Sequence, residues 1–167
     1  MRQIKAQPLT REAFRKYGTF QNLLDDADMA KASFNPAGFF PDLIDLNFGT
    51  TTIPSVCCCS VTKREKNIIA FMEFHQYTAE GLLAIDADVI VYCGAPRRGV
   101  MHSEDLEAFI LPKGTFLKYN PMVIHGGQFP INTDAAHLLC LLPQRTFYND
   151  CVVSRIENED DMVEVSI

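Results

Sequence analysis

The chain has 167 residues, and its 15 lysines and arginines against 21 aspartates and glutamates give a formal charge of −6. An acidic chain without a basic cluster suits the phosphates of nucleic acid poorly, so we expect no nucleic-acid partner. No apolar run approaches the roughly 18–20 residues of a membrane span, and the start lacks an export signal. We therefore expect a cytoplasmic protein without membrane contact, folded as one domain over residues 1–167.

The first fifty residues predict one short helix and otherwise irregular structure. Thr10 is placed as the N-cap, Ala13 and Phe14 lie on the covered face, and Gly18 ends the helix. Over residues 26–50, prolines and glycines (Pro36 among them) interrupt the aromatic residues, which predicts loops with at most one short strand.

From residue 55 onward the chain becomes rich in short apolar runs that are separated by glycine and proline turns. The predicted strands are 55–63, 68–76, 82–84, 89–93, 108–111, 115–119, 137–142 and 151–156, with a last possible strand at 162–167. Short strands at this spacing are typical of an all-β sandwich or barrel.

The six cysteines include no C-x-x-C pair, so the sequence supports neither a thiolate zinc site nor a thioredoxin-type motif. Without an export signal we expect reduced thiols. Most of them lie in apolar runs, which predicts buried small apolar side chains without a catalytic role. The six are Cys57, Cys58, Cys59, Cys93, Cys140 and Cys151.

The segment 68–76 carries the first candidate site. Period-2 alternation predicts that Ile69, Phe71, Glu73 and His75 share one face of a strand. Both faces begin apolar, so we expect the strand to be covered on both sides. An enclosed Glu73 then needs a cation, a metal ion or a proton.

A second segment complements the first. Gly114 begins a strand that leads through Pro121 to His125, and Asn132 follows seven residues later. With Glu73-x-His75-x4-Glu80, this pattern resembles the two motifs of the cupins, with Glu73 in place of the first histidine. The resemblance implies a mainly β fold, the double-stranded β-helix (jelly-roll) barrel, here with a short N-terminal helix.

Within the cupins, the chain resembles the ureidoglycolate lyase family. The opening 4–18 is similar to a phrase "PLT-x-EAF-x-x-YG" in that family, and 106–110 is similar to its "LRAFI". Tyr119 and His125 match a tyrosine and the first histidine of its "NYH-x-x-x-WHHP". The resemblance implies a C–N lyase that cleaves ureidoglycolate, or a related small 2-hydroxy acid, to glyoxylate and urea, and it implies a homodimer.

The chain departs from the family pattern at three places. The second histidine of Trp-His-His-Pro is replaced by Gly126, the arginine of "LRAF" by Glu107, and a glutamine of the first motif by Glu80. These changes alter the lining of the expected pocket.

Two histidines and two carboxylates suit a divalent ion such as Zn²⁺, Mn²⁺, Fe²⁺ or Ni²⁺, without choosing among them. We expect three or four of Glu73, His75, Glu80 and His125 to hold it. The ion would lower the pKa of the substrate hydroxyl, and a general acid would protonate the leaving nitrogen. Glu80 is the candidate acid if it is not a ligand, and Tyr119 is the second choice.

Three further residues are candidate substrate contacts. Arg97 and Arg98 lie in a predicted turn, where either could bind a substrate carboxylate or simply face solvent. His102 lies in a polar loop that could reach over the pocket.

The same candidate residues are also compatible with two other functions. One is a cupin isomerase that acts on a sugar or keto acid. The other is a non-catalytic cupin that binds a small ligand, with or without a metal ion, and the loss of the second histidine motivates it.

Overall fold

The structure is a computed structural model that describes residues 1–34 and 37–167. Three short α-helices occur in this part of the chain, α1 (Arg11–Phe14), α2 (Asp26–Ala32) and α3 (Thr146–Asn149), together with two 3-10 helices, Ser103–Asp105 and Glu159–Asp161. The strands described there are β1 (Arg2–Pro8), β2 (Gly18–Asn22), β3 (Pro54–Thr62), β4 (Asn67–Ile69), β5 (Phe71–Phe74), β6 (Glu80–Ala84), β7 (Val89–Cys93), β8 (Glu107–Leu111), β9 (Thr115–Tyr119), β10 (Phe129–Pro130), β11 (Ala135–Pro143), β12 (Val152–Arg155) and β13 (Val163–Ser166). None of the described helices is long and apolar enough to cross a membrane.

The strands form two main sheets. One has the order β10-β7-β8-β1-β13-β4 and the other β2-β9-β6-β11-β3, while β5 pairs with β12. Buried apolar side chains form two core clusters, and the first combines residues of both sheets, among them Leu82, Val91, Phe109, Leu117 and Leu138. The mainly β barrel that the sequence predicts is therefore confirmed.

The short N-terminal helix is also confirmed. Thr10 caps α1, because its side-chain oxygen accepts a hydrogen bond from the Ala13 amide at 3.2 Å. Phe14 is fully buried and lies edge-on to Phe109 of β8, with ring centroids 5.5 Å apart. The helix is thus attached to the barrel by an aromatic contact.

The structure corrects the prediction for the first fifty residues. Residues 2–8 form β1, which lies between β8 and β13 and runs parallel to both. Residues 26–32 form α2 instead of a loop, and Asp25 caps it by accepting from the Asp28 amide at 2.9 Å. Pro36, which contributed to the loop prediction, lies outside the described residues.

The predicted strand 68–76 is broken at Ala70. β4 pairs with β13, whereas β5 pairs with β12, so the two halves belong to different ladders. The break shifts the alternation, and Ile69 packs in the same cluster as Met72 and Phe74. The predicted common face is therefore wrong at Ile69.

Alternation along β3 decides the environment of three cysteines. Cys57 and Cys59 are partly buried and face the core, while Cys58 between them is exposed. Cys93 and Cys140 are buried, as expected for small apolar side chains, but the expectation of burial is wrong for Cys58.

Candidate metal centre

Three buried polar side chains meet at one end of the barrel. His75 follows β5, Glu80 is the first residue of β6, and His125 lies beyond the bend that follows β9. Two backbone hydrogen bonds between Glu73 and His125, of 2.9 and 2.8 Å, hold these distant segments in register. The Met122 amide adds a bond of 2.7 Å to the His75 carbonyl.

The donor atoms of these three residues converge on one point. Glu80 Oε2 lies 3.1 Å from His75 Nε2 and 3.0 Å from His125 Nε2. One donor atom from each residue lies within 4.8 Å of the other two, the only such group of three or more among the described residues. All three side chains are at most 7% exposed, so water competes little for them.

Backbone carbonyl groups fix both imidazole rings through Nδ1, the nitrogen that does not face Glu80. The Asp150 carbonyl oxygen accepts from His75 Nδ1 at 2.7 Å, and the Val123 carbonyl oxygen accepts from His125 Nδ1 at 2.8 Å. A carbonyl only accepts, so each Nδ1 carries a proton, and each Nε2 is turned toward Glu80. Metal-binding histidines commonly have this arrangement.

The Asp150 side chain holds the same segment in place. Its carboxylate accepts from the Gln76 amide at 2.7 Å and from the Tyr77 amide at 2.9 Å. Asp150 therefore supports His75 twice, once through its own carbonyl and once through the backbone that follows the ring.

Charge within the cluster shifts two pKa values in opposite directions. Burial alone would raise the pKa of Glu80, but the charge and hydrogen bond of His125, together with His75, lower it to about 2. Burial alone would lower the pKa of His125, but the Glu80 carboxylate raises it to about 9. Glu80 is thus ionised although it is buried.

Glu73 lies beside this cluster instead of within it. Its Oε1 is 3.9 Å from His125 Nε2, and its Oε2 accepts from the Cys151 thiol at 3.4 Å. The structure thus brings together three of the four predicted ligands and places the fourth nearby.

A cavity of about 350 Å³ opens onto the two carboxylates. Glu73 and Glu80 lie in its wall, and an adjoining cavity of about 330 Å³ shares part of that wall and also includes Arg64. The wall of the first cavity consists of Cys57, Cys58, Cys59, Ser60, Val61, Glu73, Glu80, Gly126, Gly127, Gln128, Cys140, Leu142 and Phe147.

Gly126 stands where the family pattern has its second histidine, and the structure leaves no room for a side chain there. A Cβ on Gly126 would lie 2.0 Å from the hydroxyl oxygen of Tyr92. That hydroxyl is fixed because it donates to the Phe71 carbonyl at 2.6 Å. Tyr92 therefore accounts for the glycine, and one histidine from this segment, His125, reaches the cluster.

Tyr119 packs against the cluster from the barrel interior. It is directly opposite Glu80 in the β6–β9 pair, and its ring stacks on that of His125. Burial raises the pKa of the phenol well above its usual value, so the group stays protonated.

The structure does not bring the predicted substrate contacts to the cluster. Arg97 donates to Asp105 at 2.6 Å and also pairs with Glu104, while its backbone closes a turn with Val100. Arg98 is exposed in the same turn, and His102 lies 3.6 Å from Glu104.

Sequence reasoning did not identify several residues of the cavity wall. The sequence predicts Cys57, Cys59 and Cys140 as small apolar side chains and Arg64 as part of a short charged turn, and it gives no role to Gln128. Alternation on β3 and β11 is the signal that could have placed the thiols inside, whereas the loop residues carry no such signal.

A nearly closed, mainly β barrel with two histidines and a glutamate gathered at one end is the architecture of a cupin. Within that class the family is also defined: the model of the ureidoglycolate lyase family matches residues 1–165, so the chain belongs to this family. No curated protein matches the chain.

Similar solved structures are distant. A dTDP sugar isomerase from Desulfovibrio desulfuricans G20 is 15% identical with a TM-score of 0.49 and covers 69% of each chain. Peruvianin-I, a cysteine peptidase from Thevetia peruviana latex, is 14% identical with a TM-score of 0.46, over 90% of this chain and 73% of that one. RmlC from Streptococcus suis is 10% identical with a TM-score of 0.37, over 70% and 52%. None of these similarities carries an argument about function.

Proposed function

We propose that this protein is a metal-assisted C–N lyase that cleaves ureidoglycolate to glyoxylate and urea. The observation that carries the proposal is the fixing of both Nδ1 atoms by backbone carbonyls, which presents two Nε2 atoms and Glu80 Oε2 to one point. Membership of the ureidoglycolate lyase family supports the general activity.

The buried donor set fits a divalent first-row ion, because it offers two imidazole nitrogens and one carboxylate oxygen. His75, Glu80 and His125 are the proposed ligands. When bound, such an ion acts as a Lewis acid that makes the substrate hydroxyl easier to deprotonate.

Glu73 is the residue that we propose moves the proton. Its carboxylate lies in the cavity wall next to the cluster, so it can take the proton of the substrate hydroxyl. As the oxygen's electron pair forms the aldehyde C=O bond, the C–N bond breaks. The same carboxyl group then returns the proton to the leaving nitrogen, so urea departs and no net proton is consumed.

Glu80 and Tyr119 have other roles in this proposal. The pKa of about 2 leaves Glu80 without a proton to donate, which supports its role as a ligand over its alternative role as the acid. Tyr119 is absent from the cavity wall, and we assign it the orientation of the His125 ring.

Arg64 is the proposed partner of the substrate carboxylate. It makes no ion pair within the described residues, and it lies in the wall of the adjoining cavity. Since the main cavity already holds two carboxylates, a cation at its border would offset their repulsion of an anionic substrate.

The test compares purified protein as isolated, after treatment with a chelator, and after reloading with Zn²⁺, Mn²⁺, Fe²⁺ or Ni²⁺. We expect glyoxylate and urea in equal amounts from the loaded protein, and loss of activity after chelation and in Glu80→Gln. Glu12→Gln, which changes an exposed carboxylate of α1, is the matched control. A loaded wild-type protein that binds metal but does not turn over ureidoglycolate would contradict the proposal.

Two other expectations stay predictions. Analytical ultracentrifugation tests the homodimer that the family resemblance implies. Limited proteolysis tests the single domain over residues 1–167, since one domain should resist cleavage as a unit.

A further inference from the structure

Three thiols face the cavity from two adjacent strands. Cys57 and Cys59 lie on the inward face of β3, and Cys140 lies on the inward face of β11, directly opposite Cys57 in the register. The closest approach is diagonal, because the sulfur atoms of Cys59 and Cys140 are 3.4 Å apart. All three cysteines belong to the cavity wall.

This pair offers a different kind of ligand from the histidine–glutamate cluster. Thiolates are soft ligands that favour soft metals, whereas imidazole and carboxylate groups suit harder divalent ions. Two sulfur atoms already in contact need little backbone movement to hold one common centre. The carboxylates of Glu73 and Glu80 lie in the same wall, where they disfavour a bare thiolate but favour a positively charged occupant.

We propose that the Cys59–Cys140 pair is a binding site for a soft, thiophilic centre, separate from the His75–Glu80–His125 cluster. The ligand class comprises soft metal ions, such as Cu⁺ or Cd²⁺, and trivalent arsenic. An occupant of this site projects into the cavity that Glu73 and Glu80 share and takes up space there.

Phenylarsine oxide is the probe, because it reacts with paired thiols and has no affinity for a histidine–carboxylate cluster. Two As–S bonds replace the bond between arsenic and oxygen. The two thiol protons leave with that oxygen as water, and neither arsenic nor sulfur changes oxidation state.

The experiment measures uptake of the arsenical by intact mass, together with the number of thiols that still react with a disulfide reagent. We expect one phenylarsenic group per wild-type chain, a loss of two reactive thiols, and reversal by a dithiol but not by a monothiol. Cys59→Ala and Cys140→Ala should lose at least tenfold in apparent affinity.

Cys58→Ala is the matched control. Cys58 also borders the cavity, but it is exposed and alternates with the inward-facing Cys57 and Cys59 along β3, so its side chain lies on the opposite face of the strand. It should bind the arsenical as wild type does. Circular dichroism of each variant establishes that it is folded. If Cys140→Ala does not fold, Cys59→Ala alone tests whether the pair binds the arsenical, because Cys59 is partly exposed and its substitution disturbs the core less. Uptake by Cys59→Ala equal to wild type, or none by wild type, would overturn the proposal. So would loss in Cys57→Ala without loss in Cys59→Ala, because the pair would then be a different one.

The consequence for turnover rests on the proposed function. The arsenical should lower ureidoglycolate cleavage at least tenfold in wild type and Cys58→Ala, but not in Cys59→Ala. If wild type is inactive on ureidoglycolate, the proposed function fails, while the mass measurement still decides whether the dithiol site exists.

Discussion

The imidazole ring of His125 lies flat on the phenol ring of Tyr119, with centroids 4.8 Å apart and an angle of 15° between the planes. The Val123 carbonyl oxygen accepts a hydrogen bond from Nδ1 of the same imidazole. The His125 ring is therefore held on its face by Tyr119 and at its edge by this carbonyl group. Such supporting contacts around a metal ligand typically change metal affinity 10–100-fold when they are lost.

The stack predicts a difference between two substitutions of Tyr119. Tyr119→Phe keeps the aromatic face, so zinc affinity and ureidoglycolate turnover should stay within about threefold of wild type. Tyr119→Leu removes the face and should weaken zinc binding about tenfold. Calorimetry and steady-state kinetics check both. If Tyr119 instead supplies the catalytic proton, Tyr119→Phe would slow turnover by about 100-fold or more with zinc affinity unchanged.

Asp150 should couple a buried carboxylate to the candidate metal centre, because it holds the segment that carries His75. Asp150→Ala removes the acceptor of the Gln76 and Tyr77 amides, which releases the segment that carries His75. We expect zinc affinity to fall 10–100-fold and the free energy of unfolding to fall by about 1–3 kcal/mol.

Asp88→Ala is the control for that substitution, because Asp88 accepts in the same way from the Lys113 amide at 2.7 Å in a different loop. It should lower the free energy of unfolding somewhat and leave zinc affinity unchanged. An equal loss of zinc affinity in both variants would mean that general destabilisation, and not support of His75, is the cause.

The fold was predictable where local pattern and long-range pairing agree. The strands from residue 55 onward alternate or form apolar runs, and most of them lie within two residues of the predicted bounds. β1 could not be recognised in the same way, because its mixed polar sequence becomes a strand only through pairing with β8 and β13, about a hundred residues or more away. α2 did carry a local signal, the Asp25 cap, in a region that the prolines and glycines made resemble a loop.

The candidate site was predictable in its side chains but not in its supports. His75, Glu80 and His125 follow from motif spacing. The groups that orient the rings are the backbone carbonyls of Asp150 and Val123, which any residue at those positions would supply. The break at Ala70 likewise depends on which ladder each half of the segment joins.

Glu107, which replaces an arginine of the family pattern, predicts a pH-dependent contribution to stability. Its carboxylate accepts from the Tyr17 hydroxyl at 2.9 Å and from Gln7 at 3.1 Å, and it pairs with Lys16, which connects the N-terminal segment to β8. Partial burial opposes ionisation, but these partners, led by Lys16, lower the pKa of Glu107 below its usual value.

A carboxyl group with a lowered pKa in the folded state stabilises the protein above its unfolded pKa and loses that effect as the pH falls. Glu107→Gln should therefore cost about 1 kcal/mol at pH 7, a modest value because solvent screens the partly exposed group. The difference from wild type should shrink as the pH falls below about 4.5. Urea unfolding at several pH values checks this, with Glu12→Gln as an exposed control. A difference that grows toward acid pH would contradict the assignment.

Substitution of Arg64 should weaken substrate binding without slowing the catalytic step. Arg64 lines the adjoining cavity and not the one that holds Glu73 and Glu80, so the proposed contact with an anionic substrate would be the same before and during the reaction. Loss of such uniform binding raises KM and leaves kcat unchanged. Arg64→Met should raise KM for ureidoglycolate about tenfold with kcat within twofold, whereas Lys63→Met, the neighbouring exposed cation, should change neither. Steady-state kinetics at low ionic strength provide the measurement, since salt screens the attraction. Equal KM values for the two variants would remove Arg64 from the substrate site and leave the metal centre to bind the carboxylate alone.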